Sequence, residues 1–190
     1  MYSEIESYAK DNHIPIMLKD GIDFLCAYIK DNNIKNILEI GSAIGYSAIK
    51  MASVSDDIKV TTIEKDEERY NIAVSNIKKY KLGKRIDIIL DDALNVSLSG
   101  EYDLIFIDAS KGHNIDFFNR FKDNLSNNGV IITDNLSFHG LVEDSNLIET
   151  KNQRGIVNKI KLFIDFLDNN KEFVTEYIPV GDRISISKRR

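Results

Sequence analysis

The chain has 190 residues, 43% hydrophobic and 29% charged, with 25 basic and 30 acidic residues and a net charge of −5. This is enough for one domain with a full core. It excludes wholesale disorder and gives no global nucleic-acid signature, though it permits local basic patches. The single cysteine, Cys26, excludes an internal disulfide and a cysteine-built zinc or iron–sulfur site, and reads as a small buried hydrophobe in a helical pattern. Residues 1–4 open no apolar run and no stretch approaches the roughly 18 apolar residues of a membrane span, so a soluble, cytoplasmic protein is expected.

In chain order, helices are expected over about 2–11 and 18–32, joined by an extended connector, His13-Ile14-Pro15-Ile16-Met17, because Pro15 disfavours helix at Ile14. Strands follow at 36–41, 58–64, 86–90, 102–108 and 129–134. Several are nearly continuous in Ile, Val, Leu and Phe, as suits parallel strands buried on both faces. Between and after them lie helical patterns at 45–54, 66–80 with Asp66 as N-cap, 112–124 with Phe117, Phe118 and Phe121 on one face, and 153–168. Two last strands, 173–180 and 183–188, flank a hairpin signal at Gly181-Asp182. The alternation predicts a single doubly wound α/β domain, with ligands bound outside the carboxyl ends of the strands.

The strand-end residues carry the candidate chemistry. The first strand runs into Glu39-Ile40-Gly41-Ser42-Ala43-Ile44-Gly45-Tyr46-Ser47. This G-x-x-x-G spacing is neither the dinucleotide G-x-G-x-x-G nor a P-loop, and a glycine pair after a strand is by itself weak evidence. Glu64, 23 residues after Gly41, ends the second strand where an acid can accept from both ribose hydroxyls of a nucleoside cofactor. Asp91-Asp92-Ala93 ends the third, where a carboxylate and a backbone N–H can read an adenine edge. Asp108, Asp134 and Asn135 offer hard oxygen donors suited to Mg²⁺, Mn²⁺ or Ca²⁺. Lys111, three residues after Asp108, is a candidate proton acceptor beside such a cation. His13, His113 and His139 show no shared ligand spacing. The candidate basic patches are Lys78-Lys79 with Lys81, Lys84 and Arg85; Lys151, Arg154, Lys159 and Lys161; and Lys188-Arg189-Arg190.

The segments Glu39–Ser47, Ile107-Asp108-Ala109-Ser110-Lys111 and Ile132-Thr133-Asp134-Asn135 resemble the cation-dependent, S-adenosylmethionine-dependent O-methyltransferases related to catechol O-methyltransferase. The resemblance runs from about Tyr8 to Arg189. His13–Met17, Gly140-Leu141-Val142 and Ile178–Asp182 are most similar to the branch that methylates 5-hydroxyuridine at the wobble position of bacterial tRNA. It implies a mostly parallel seven-stranded sheet with an antiparallel last strand, residues 1–32 capping the cofactor site, and a homodimer. It further implies cofactor contacts at Met17, Ser47, Glu64, Asp92, Ala93 and Asp108, with Glu39 and Gly41 of the loop among them. Cation ligation is implied for Asp108, Asp134 and Asn135, and catalysis for Lys111 with Asp108. The chain departs from the family pattern at Asn114, where an aromatic residue is common, and at Arg183, where glycine is common.

These readings converge on direct methyl transfer to a hydroxyl, with an anticodon loop as acceptor or, alternatively, a small catechol-type phenol. A non-catalytic S-adenosylmethionine-binding protein is opposed by the joint presence of Asp108, Lys111, Asp134 and Asn135. A nicotinamide oxidoreductase is opposed by the loop spacing.

Overall fold

The structure is a computed structural model and describes residues 2–109 and 112–190. Two helices, α1 (Ser3–Asp11) and α2 (Lys19–Asp31), precede the sheet. Then come β1 (Asn36–Ile40), α3 (Tyr46–Ala52), β2 (Lys59–Glu64), α4 (Glu67–Lys79), β3 (Ile86–Leu90), β4 (Tyr102–Ile107), α5 (Asn114–Phe121), β5 (Leu125–Thr133), α6 (Lys151–Asp168), β6 (Phe173–Ile178) and β7 (Ile184–Arg189). The seven strands order as β3-β2-β1-β4-β5-β7-β6. β7 runs antiparallel to both β5 and β6, and the other pairings are parallel. Strand order reverses between β1 and β4, which opens a crevice at their carboxyl ends.

The central strands β1 and β4 and the second half of β5 are buried on both faces, and their side chains alternate between two cores. Ile37, Leu104, Phe106, Val130 and Ile132 face α1, α2 and α3, while Leu38, Ile40, Ile105, Ile107 and Ile131 face α5 and α6. In the second core the Phe118 ring meets Phe163, Phe166 and Phe173 edge-on. Asp66 caps α4 by accepting from the Arg69 N–H, as its position suggests.

Several boundaries differ from expectation. The β5 strand begins at Leu125 rather than 129, because Tyr102 pairs with Leu125 and the ladder resumes at Leu104 with Val130 across an irregularity. The first turn of α6 is two residues earlier, at Lys151, where Thr150 and Gln153 form a reciprocal capping box. Helix α5 is shorter, starting at Asn114 and giving way to a 3-10 turn at Lys122–Asn124. Cys26 is half-buried rather than sealed, and burial pushes its thiol up to about 11. Among the described residues no helix is long and apolar enough to cross a membrane.

Candidate active site

The turn after β1 is built so that a ligand can touch backbone. Gly41 sits at φ +96°, and a Cβ there would lie 2.8 Å from the Asp108 carbonyl oxygen and 3.0 Å from the Ala109 Cα. A side chain is therefore barred by both conformation and space. Ser42 is buried, and its Oγ makes no hydrogen bond among the described residues. Glu39, on β1 beneath the loop, is fully buried and accepts from the Thr62 hydroxyl. Burial pushes its carboxyl up to about 7, against the hydroxyls of Ser47 and Thr62, which pull it down.

Glu64 faces the loop from the end of β2. Its Oε2 accepts from the Ala43 N–H at 2.7 Å, and its Oε1 accepts from the N–H groups of Lys65 and Asp66 at 3.0 and 2.9 Å. A carboxylate has roughly four acceptor positions, so about one remains for a hydroxyl, and a vicinal diol would exchange with a loop amide for the second. The Asp92 carboxylate closes a local turn, accepting from the Leu94 N–H at 2.9 Å, and places the buried Ala93 beside it. These groups line one cavity of about 770 Å³ together with Met17, Ser47, Asp108 and Asn135. That volume is within the range of pockets for drug-sized ligands and cofactors. The connector Pro15–Leu18, ahead of the sheet, forms part of the cavity wall.

An oxygen-donor cluster adjoins this wall. Ile107 of β4 pairs with Thr133 of β5, so Asp108 and Asp134 leave the sheet side by side. Asp134 is buried and Asn135 half-buried. Asn135 donates from Nδ2 to Asp182 Oδ2 at 3.3 Å, which leaves its carbonyl oxygen as the outward donor atom. Two carboxylates and an amide oxygen are a hard donor set that fits Mg²⁺ or Mn²⁺ and leaves coordination positions for an acceptor's oxygens. No triplet of His, Cys, Asp and Glu gathers among the described residues, and the third protein oxygen offered here is an amide. Lys111, the expected proton acceptor, lies outside the described residues.

The basic patches separate in space. Lys151, Asn152, Gly155, Ile156 and Lys159 of α6 share the face that lines the cavity, whereas Arg154 and Lys161 point elsewhere. A Cβ on Gly112 would lie 2.8 Å from Lys159 Nζ, so that ammonium group lies against Gly112. The tail Lys188–Arg190 does not join the site. Lys188 pairs with Val130, and the Arg190 N–H donates to the Glu172 carbonyl, at the opposite end of the sheet from Asp134. Arg85 is likewise occupied there, by the carbonyls of Ala52 and Ser55. His113 and His139 line the cavity and His13 does not.

Three residues escape a reading of the sequence. Asp182 reads as a hairpin turn, yet it is buried and bonded to Asn135. Ser42 looks like loop filler. Asn114, noted only as a departure, is buried one turn before the cavity residue Phe117, and neither of its amide atoms is hydrogen-bonded among the described residues.

A family model described as O-methyltransferase matches residues 4–190. The chain belongs to the O-methyltransferase family. Relatives of this O-methyltransferase include the caffeoyl-CoA O-methyltransferase of Stellaria longipes, 29% identical over 82% of this chain and 68% of that one. A Staphylococcus aureus structure provisionally designated a caffeoyl-CoA O-methyltransferase superposes with a TM-score of 0.94 at 36% identity, covering 99% of this chain and 91% of the other. An S-adenosylhomocysteine-bound methyltransferase of Podospora anserina superposes with a TM-score of 0.83 at 26% identity over 89% of this chain and 77% of its own.

Proposed function

We propose that this O-methyltransferase uses S-adenosylmethionine and a divalent cation to methylate 5-hydroxyuridine in a tRNA anticodon loop. The observation that carries the reading is that one cavity is lined both by the glycine cradle with Glu64 and by Asp108 and Asn135, with the buried Asp134 next to them at the end of β5. S-adenosylhomocysteine in the Podospora anserina and Bacillus cereus relatives supports the cofactor. When bound, the cofactor supplies a methyl group on a sulfonium sulfur, and the cation makes a hydroxyl placed beside it more acidic.

The protein's part is mainly positioning, worth up to ~7–11 kcal/mol in favourable cases. The Gly41 loop and Glu64 hold the nucleoside half of the cofactor. Asp108, Asp134 and Asn135 would hold the cation beside the acceptor, and Lys111 takes the proton from the acceptor hydroxyl. Phe117, Phe138 and the Pro15–Leu18 connector wall the cavity against water. The acceptor presents two adjacent oxygens, as the 5-hydroxyl and 4-carbonyl of 5-hydroxyuridine do. Lys151 and Lys159 at the mouth suit phosphates flanking an unstacked base.

The names of the plant relatives favour a second reading, a catechol ring carried on a coenzyme A thioester, whose phosphates would meet the same lysines. The test gives purified protein, Mg²⁺ and labelled S-adenosylmethionine one of three acceptors: hydroxyuridine-containing tRNA, caffeoyl-CoA or free catechol. Turnover of the tRNA, abolished by EDTA and by Asp134→Ala in a folded variant, is expected. Turnover of caffeoyl-CoA with none of the tRNA would install the second reading, and full activity in EDTA would remove the cation from both.

A further inference from the structure

The β6–β7 turn reaches the candidate cation cluster from the far edge of the sheet. Asp182, in that turn, is 4% exposed, and its carboxylate is divided between two donors. Oδ2 accepts from Asn135 Nδ2 at 3.3 Å, and Oδ1 accepts from the His139 backbone N–H at 2.7 Å. Its own carbonyl accepts from the Ser137 N–H at 2.9 Å, and the Arg183 carbonyl accepts from the Leu136 N–H at 3.0 Å. Residues 182 and 183 therefore clamp the segment after β5 at four points. The clamp holds an unfavourable backbone, since Asn135, Phe138 and His139 sit at φ +64°, +49° and +58°, where residues other than glycine are uncommon.

The chemistry of the contact decides which atom Asn135 shows to the cavity. An ionised carboxylate only accepts, so the amide nitrogen must face Asp182 and the amide oxygen must face away. With a neutral amide at 182, that preference is lost, and Asn135 can present its NH₂, which no cation binds.

We infer that Asp182 is a positioning residue for the cation site: it selects the amide orientation of Asn135 that makes the third oxygen donor. This rests on the cation reading above. Nothing in the contact requires Asp182 to touch the cation itself.

The test is a double-mutant cycle read by Mn²⁺ binding alone, using calorimetry and the electron paramagnetic resonance of free Mn²⁺, without turnover. Asp182→Asn should weaken Mn²⁺ ten- to a hundredfold, the usual effect of losing an outer partner of a metal ligand. In the Asn135→Ala background the same change should have almost no effect, because the group it acts through is gone. A loss of charge or a general loosening of the turn would weaken both backgrounds equally, and that result overturns the inference. Unchanged affinity in Asp182→Asn overturns it as well. Glu143→Gln, which removes a negative charge bonded to Ser137 and Arg183 in the same segment, should leave Mn²⁺ affinity unchanged. Asp182→Ser is read in the same cycle should the asparagine variant not fold. If the unaltered protein binds no Mn²⁺, the cation reading falls and this inference with it. If it binds Mn²⁺ and loses it in Asp134→Ala while the cycle is additive, only the inference falls.

Discussion

Glu39 shows how one side chain couples the site to stability. It is fully enclosed beneath the Gly41 loop, and burial holds its carboxyl at about 7, with the charges of Asp108 and Glu64 pushing the same way. In the unfolded chain the group titrates near the ordinary glutamate value. Between about pH 4.5 and 7 the unfolded chain has released this proton while the folded chain keeps it. The contribution of Glu39 therefore falls as pH rises through that window, and is flat below and above it. The whole fall across the window is on the order of 3 kcal/mol. Glu39→Gln keeps an oxygen for the Thr62 hydroxyl and removes the ionisation. Urea unfolding from pH 4.5 to 8 should show the variant losing this downward slope and exceeding the unaltered protein above pH 7. Parallel pH profiles for the two proteins would mean that Glu39 stays ionised in the fold.

Helix α6 carries the site's cationic wall on its first turns, so the cap that starts it matters. Thr150 accepts from the Gln153 N–H at 3.1 Å, while Gln153 Oε1 accepts from the Thr150 N–H at 2.9 Å. Thr150→Ala should cost about 1 kcal/mol and lower the melting temperature by roughly 2–4 °C. An unshifted melting curve would show that packing of Val157, Ile160 and Phe163 alone fixes this end. The T-x-x-Q pattern is present in the sequence, but a start at 153 misses it because apolar periodicity begins only at Ile156. Strand identities are legible for the opposite reason: runs such as Leu104-Ile105-Phe106-Ile107 are buried on both faces and need no partner to declare themselves. The start of β5 is not legible, since Ser126, Asn127 and Asn128 have no strand pattern and are held by pairing near Tyr102. The strand-end acids are legible from topology. The role of Asp182 is not, because its bond to a residue 47 positions away exists only once β5 and β7 adopt their register, Thr133 against Ser185.

At the scale of the whole molecule, a net charge of −5 conceals a segregated surface. Lys151 and Lys159 stand at the cavity mouth, while Lys188 lies over the Tyr28 ring at the opposite end of the sheet. An anionic acceptor gains from the first pair and little from the second, because charges separated by more than a Debye length, about 8 Å in physiological salt, are largely screened. Two variants with the same change in net charge, Lys159→Glu and Lys188→Glu, separate local from global electrostatics. With an anticodon stem-loop as probe, each single-strand phosphate neutralised contributes on the order of 0.7 to the slope of log affinity against log salt. Lys159→Glu should weaken binding at low salt and flatten that slope by about one such increment, whereas Lys188→Glu should leave both near the unaltered values. Equal losses in the two variants would mean that RNA senses only net charge, and the α6 face would then have no claim on the acceptor's phosphates.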